Sequence, residues 1–267
     1  MTQQRNEIVP ERLSLAAADT PAIREVPFDA PWAWLAAGWR DLWRVPHVSL
    51  SYGALFALAA LALSLGLSQV GAQSLILALA GGFLLVGPLL AVGLYETSRR
   101  LALGLDMNLS DVLLAGLRSR GQLGFMGVVL LLIFFAWVEI AFLLLMLFLG
   151  GNGLPPPSDF VPALLFTRAG LGLLIVGSLA GGALAMLVFS VSVISVPLLL
   201  ERKIDVVTAS LTSIKTVVLN PQAMLLWAAL IAGFVALGVA TVFAGLVIVF
   251  PLVGHATWHA YRDLVVD

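Results

Sequence analysis

LGFMGVVLLLIFFAWVEIAFLLLMLFL, residues 123–149, runs for 27 residues with a single ionisable side chain, Glu139. About 20 residues of helix cross the hydrocarbon of a bilayer, so this stretch is long enough to span one. The rest of the chain agrees. Of its 267 residues 61% are hydrophobic and only 11% charged, with a mean hydropathy of +1.05, whereas a soluble domain carries about 25% charged residues. Working outward, five further apolar segments stand at 48–68, 72–95, 169–199, 222–240 and 242–260.

The breaks between segments have distinct chemistry. Ser68 to Gln73 is a small polar turn, and Gly150-Gly151-Asn152-Gly153 with Pro155-Pro156-Pro157 is a cluster of helix breakers. The run from Gln222 to Tyr261 would be roughly 60 Å long as one helix, twice the hydrocarbon thickness. It is expected to fold back near Gly238 to Gly245. Residues 1–30 mix Arg5, Arg12 and Arg24 with Glu7, Glu11, Asp19, Glu25 and Asp29 and hold no apolar h-region. They are expected to form a disordered cytoplasmic tail.

Six spans place Arg5, Arg12, Arg24, Arg40, Arg44, Arg99, Arg100, Arg118, Arg120, Arg202, Lys203, Lys215 and Arg262 on one side, against Arg168 on the other. The positive-inside rule then puts both chain ends in the cytoplasm. Amphipathic segments precede the spans. In 31–45, Trp32, Leu35, Trp39, Leu42 and Trp43 recur at helical spacing while Arg40, Asp41 and Arg44 lie off that stripe. In 204–218 the stripe is Ile204, Val207, Leu211, Ile214 and Val218, and a weaker one runs through Leu109, Val112, Leu113, Gly116 and Leu117. These segments are expected to lie on the membrane as collars; a groove for a partner helix is the other reading.

The chain also repeats itself. PLLAVGLYETSRRL (88–101) aligns without a gap on PLVGHATWHAYRDL (251–264), setting Tyr95 against Trp258, Glu96 against His259 and Arg99 against Arg262. Basic segments precede each hairpin at Gly38-Trp39-Arg40, Gly116-Leu117-Arg118 and Ser213-Ile214-Lys215, with Pro46 and Pro221 at two of the span mouths. The expected fold is therefore an all-α membrane protein: six transmembrane helices as three repeated hairpins, with cytoplasmic collar helices, over 31–265.

GWRDLWRVPHVSLSYG (38–53), GPLLAVGLYETSRR (87–100) and FPLVGHATWHAYRDL (250–264) resemble the domain of unknown function 2189 family of bacterial predicted integral membrane proteins. The likeness covers roughly residues 30–265. It implies a multi-span protein of the bacterial inner membrane and supplies no activity or catalytic residues.

Glu139 is the sharpest chemical feature. A carboxylate at mid-span costs about 2.5–3.5 kcal/mol on insertion scales, so it is expected to face the bundle interior, protonated or bonded to Ser190, Ser192 or Ser195. It reads as a proton or cation relay or a substrate contact, or else as interhelical glue. His255 and His259 stand i, i+4 on one helical face, alongside Trp258 and Tyr261 at the same end of the helix, and Tyr95 and Glu96 correspond to Trp258 and His259 in the repeat. The spacing suits two metal ligands, but no third is apparent. The plainer reading is hydrogen bonding at a cytoplasmic mouth, with no metal. Pro88, Pro197 and Pro251 are expected to kink their spans, lining a cavity or serving packing. Gly177, Ser178, Gly181 and Gly182 offer small-residue faces for close helix approach, within the chain or between copies.

No cysteine is present, which excludes disulfides, thiolate nucleophiles and cysteine metal sites. No phosphate loop, HExxH or nucleophile elbow occurs, and no basic surface suggests nucleic acid. No cofactor is called for. The expected function is that of a non-enzymatic helper or scaffold binding the lipid bilayer and another membrane component, a partner protein or a second copy. The alternative is a small transporter or channel using the proline-kinked spans and Glu139.

Overall fold

The computed structural model describes residues 21–266 apart from 73, 109, 111, 113, 116–120 and 152–154. Arg5, Arg12, Arg118, Arg120, the Gly116-Leu117-Arg118 segment, most of the third collar stripe and Asn152-Gly153 lie outside the described residues. The helices, in chain order, are α1 (Ala30–Arg44), α2 (Pro46–Gln69), α3 (Ser74–Leu90), α4 (Val92–Leu103), α5 (Gly121–Leu149), α6 (Pro157–Phe166), α7 (Arg168–Ser192), α8 (Ser195–Glu201), α9 (Val206–Leu219), α10 (Pro221–Ala240) and α11 (Leu246–Leu264). No strand occurs among the described residues; one isolated bridge joins Ile23 to Val265.

Five helices are long and apolar enough to cross a membrane: Pro46–Gln69, Ser74–Leu103, Gly121–Leu149, Arg168–Glu201 and Pro221–Ala240. Two of these are α3 with α4 and α7 with α8, each interrupted once. The segment expected as a sixth span, 242–260, corresponds to α11, which stands outside that set because it carries His255, His259, Arg262 and Asp263. It doubles back on α10 through residues 241–245, where Thr241 Oγ1 accepts the amide of Gly245 at 2.8 Å.

Prolines set two junctions. A residue before proline is disfavoured in the helical region. Val45 (φ −134°, ψ 60°) thus ends α1 ahead of Pro46, and Asn220 (φ −121°, ψ 52°) ends α9 ahead of Pro221. The two collar-to-span corners share almost the same backbone geometry.

Helix α11 is the core of the molecule, wrapped by α1, α2, α4 and α10. Close approach depends on glycine. A Cβ on Gly38 would stand 2.6 Å from the Ala256 amide, and one on Gly53 only 2.3 Å from the Val247 carbonyl oxygen. That carbonyl would ordinarily accept the amide of residue 251, and Pro251 has none. α11 runs unbroken through Pro251.

Of the expected tail, residues 1–20 lie outside the described residues, while residues 22–26 are tied down. Arg24 N donates to Leu264 O and Val266 N to Ala22 O, and Asn220 Oδ1 accepts the amide of Val26 at 2.8 Å. Both described ends of the chain therefore meet at one end of the bundle, as does the start of α10.

The collars correct the stripe expected of α1. Leu35 and Leu42 turn inward together with Trp34, Gly38 and Asp41, whereas Trp32, Trp39 and Trp43 are exposed. The stripe mixed two faces. Asp41, expected on the polar side, is buried. On α9 the apolar residues Val207, Leu211, Ile214 and Val218 point outward, and Ala209, Thr212, Ser213 and Thr216 pack inward.

Candidate functional site

Four helices meet at the end of the bundle where the charges gather, and there they enclose a chain of polar side chains. Asp41 comes from α1, Ser49 from α2, Ser98 from α4, and His255 and His259 from α11. Asp41, Ser49, Ser98 and His255 are all buried. Ser98 has one proton and gives it to Asp41 Oδ2 at 2.8 Å. Ser98 Oγ must then accept from His255 Nδ1, also at 2.8 Å. His255 Nε2 is left as the acceptor for the Ser49 hydroxyl at 2.9 Å. His259 Nε2 donates to the same Asp41 oxygen at 2.7 Å, and an Arg44 guanidinium nitrogen stands 3.7 Å from Asp41 Oδ1.

Burial would raise the Asp41 carboxyl above its ordinary range. The hydrogen bonds from His259 and Ser98, with the electrostatic influence of the two histidines, outweigh it and hold the group below that range. The chain thus runs from a buried hydroxyl to a carboxylate near the surface, every link paired. Ser49 has no exposed surface and is not among the residues that line the cavity described next.

The second feature is a cavity of about 580 Å³. α7 packs on α5, α6, α9 and α3, while α10 packs on α11, α1, α3 and α9; the two hardly touch each other. The cavity fills the gap between them, lined by Ala185 and Phe189 of α7, Ile231 and Val235 of α10, and by α3, α5 and α11. It runs from Ser74 and Phe160 at one end to Tyr95 and Thr257 at the other. Leu77, Phe142, Ser178, Gly182 and Ala232 of its lining are exposed, so it opens through the side of the bundle.

Both helix interruptions lie on this cavity. Ala91 separates α3 from α4, three residues past Pro88, and Val193–Ile194 separates α7 from α8, just ahead of Pro197. Ala91, Pro88 and Val193 line the cavity wall. The backbone groups freed at each break are taken up by a side chain of another helix. The Tyr52 hydroxyl donates to Leu90 O at 2.7 Å, and Ser213 Oγ accepts the Ile194 amide at 3.2 Å.

The expected site residues divide. Glu139 does not face the interior: it is exposed on the outer face of α5. The hydroxyls expected to meet it, Ser190, Ser192 and Ser195, bond instead to the carbonyls of Met186, Val188 and Val191 in their own stretch of chain. Trp137, two residues earlier, faces in and donates to Ala78 O at 2.8 Å. His255 and His259 come together, but the carboxylate between them and Ser98 is Asp41 rather than Glu96. Glu96 is forked by Arg99 and Arg100 at 2.7 and 2.8 Å. Tyr95 lines the cavity, and Trp258 is buried against Tyr261, whose hydroxyl bonds Glu201. Among the described residues no group of three or more His, Asp or Glu is placed to hold a metal. Of the small residues on α7, Gly181 takes the Trp137 ring, with 2.8 Å between a built Cβ and that ring, while Gly177 and Gly182 face open space beside the cavity. Sequence reasoning missed Asp41, Ser49 and Ser98. The available signal was Trp34, Gly38, Asp41 and Leu42, which share one helical face.

Residues 75–201 match the model of the domain of unknown function 2189 family, predicted integral membrane proteins. The match takes in α3 to α8, including the motif at 87–100; the motifs at 38–53 and 250–264 lie outside it. No curated protein and no solved structure matches the chain.

Proposed function

We propose that this integral membrane protein is a non-enzymatic helper that binds another membrane component, an apolar chain such as a lipid tail, in the lateral cavity between α7 and α10. In this reading α11 completes six crossings, both chain ends are cytoplasmic, and the membrane is the bacterial inner one, as the distribution of Arg and Lys supports. The observation that carries the reading is the cavity itself: about 580 Å³, almost wholly apolar, and open sideways where lipid stands. That volume is in the range of pockets that hold small molecules, roughly 300–1,000 Å³. The fully paired Asp41 chain then acts as a clamp that locks α1, α2, α4 and α11 around one end of the bundle.

The test is native mass spectrometry of protein extracted in mild detergent, comparing wild type with Gly182→Leu and Ala232→Trp at the cavity rim. Wild type should retain a tightly bound lipid and both variants should lose it at unchanged thermal stability. Wild type without bound lipid, or variants that keep it, would sink the reading.

The two interrupted helices favour a second reading, a small transporter, since broken helices line substrate paths in carriers. Proteoliposomes carrying a tail-labelled fluorescent lipid separate the two. Protein-dependent movement of the label between leaflets supports transport, and its absence supports the helper.

A further inference from the structure

We propose that Glu139 and the α5 face around it form the contact through which two copies of this chain pair in the membrane. Val128, Leu132, Phe135, Leu143 and Met146 share the Glu139 face at helical spacing, and all are exposed. α5 has 29 residues, roughly 43 Å against a hydrocarbon core of about 30 Å. Glu139 stands ten residues before Leu149, about 15 Å in from that end. It therefore lies within the hydrocarbon, on a side that no other described helix covers. Lipid tails offer a carboxyl no hydrogen bond, and the inward hydroxyls of α7 are already committed to the backbone.

The chemistry of the group identifies the occupant. A protonated carboxyl is one donor and one acceptor on the same group, so it is complementary to a second copy of itself. A two-fold axis along the membrane normal sets residue 139 of one copy against residue 139 of the other, which is how isologous interfaces work. A contact of α5 with a different surface of a second copy would not pair the group. Among the described residues, the cations of the five long apolar helices stand near their ends, at Arg99, Arg100, Arg168 and the residues that follow α8. The pairing rests on this face alone and is independent of the cavity reading.

The chain has no cysteine, so single cysteines report cleanly. Leu132→Cys and Leu143→Cys, both on the Glu139 face, are oxidised in native membranes beside Leu58→Cys on the exposed side of α2 as the control. Both face positions should give a disulfide-linked homodimer, with the control giving little. Adding Glu139→Leu should weaken pairing about tenfold, the scale of one interhelical hydrogen bond. Glu139→Gln, whose amide again offers a donor and an acceptor, should keep it. Face cysteines that link no better than the control would overturn the proposal, as would a yield indifferent to Glu139→Leu. So would cross-linking to a different protein in place of a second copy.

Discussion

α5 and α11 are opposites. α5 is the most apolar helix of the bundle and shows lipid a broad face, with one carboxyl on the outside. α11 holds two histidines, an arginine and an aspartate, and it is the helix most enclosed by the others. In water the apolar helix would be the buried one. In a bilayer the lipid tails are as apolar as any leucine side chain, so burial brings apolar faces little, while polar groups gain by meeting one another inside. The interior helix is therefore the more polar one: α5 is the most apolar of the five helices able to cross a membrane, and α11 falls outside that set.

Removing the carboxylate from each side breaks this comparison most directly. Asp41→Ala strips His259 and Ser98 of a shared acceptor and leaves His255 in a broken chain; a loss of about 2–3 kcal/mol is expected. Glu139→Leu removes a group with no described partner inside the protomer, and the stability of the isolated protomer should hold or rise. Thermal unfolding in detergent reads both, and equal losses would mean that Glu139 has an inward partner after all. The Asp41 contribution also has a pH sign. The carboxyl is held below its ordinary value of 3.8 in the folded protein, so its stabilisation is complete above that value. It is lost as pH falls through the folded one. Asp41→Asn should flatten that acid limb.

The sequence made the class of the protein plain, and the number of long apolar stretches nearly so, because hydrocarbon thickness imposes a length that few other constraints imitate. Side-chain direction was harder to read. Asp41 was placed outward and Glu139 inward, each by the rule that charge seeks water or avoids lipid. The Glu139 placement fails because no described helix covers that face of α5, and the Asp41 placement because the deciding partner is distant in sequence. For Asp41 that partner is His259, 218 residues away. For α1 the error has a second source: Leu35 and Leu42 face α11 while Trp32, Trp39 and Trp43 face out, and an apolar stripe cannot distinguish a core from a headgroup layer. The prolines were legible as positions, but what holds the breaks beside Pro88 and Pro197 comes from α2 and α9, whose Tyr52 and Ser213 carry no local mark.

Glycine provides the next largest contrast between the two helices. Gly53 lets α2 lie against the Val247 carbonyl of α11, and a Cβ there meets backbone at 2.3 Å. Gly53→Ala must push the helices apart, a change in the range of about 1–3 kcal/mol. Gly124 on the exposed face of α5 has nothing within 4 Å of a built Cβ. Gly124→Ala should be neutral or stabilise by up to about 1 kcal/mol through helix propensity. Melting temperatures that move in opposite directions would bear out the contrast, and a destabilising Gly124→Ala would mean that α5 is packed against something there.

The smallest effect separates the two interrupted helices from the continuous α11. At the α3–α4 break the amide of Leu94 goes to Ala91 O at 2.9 Å, so Leu90 O has lost its usual donor, and Tyr52 supplies one. Tyr52→Phe removes that bond while keeping the ring that packs against Phe56 and Phe250, and a loss of about 1 kcal/mol is expected. The carbonyl can recover a donor only if Ala91 returns to helical geometry, which would straighten α3 into α4 and move Pro88 and Tyr95 where they line the cavity. A Tyr52→Phe protein that melts lower and also binds less lipid would tie the break to the cavity. Lower melting with full lipid retention would make the break a packing device alone.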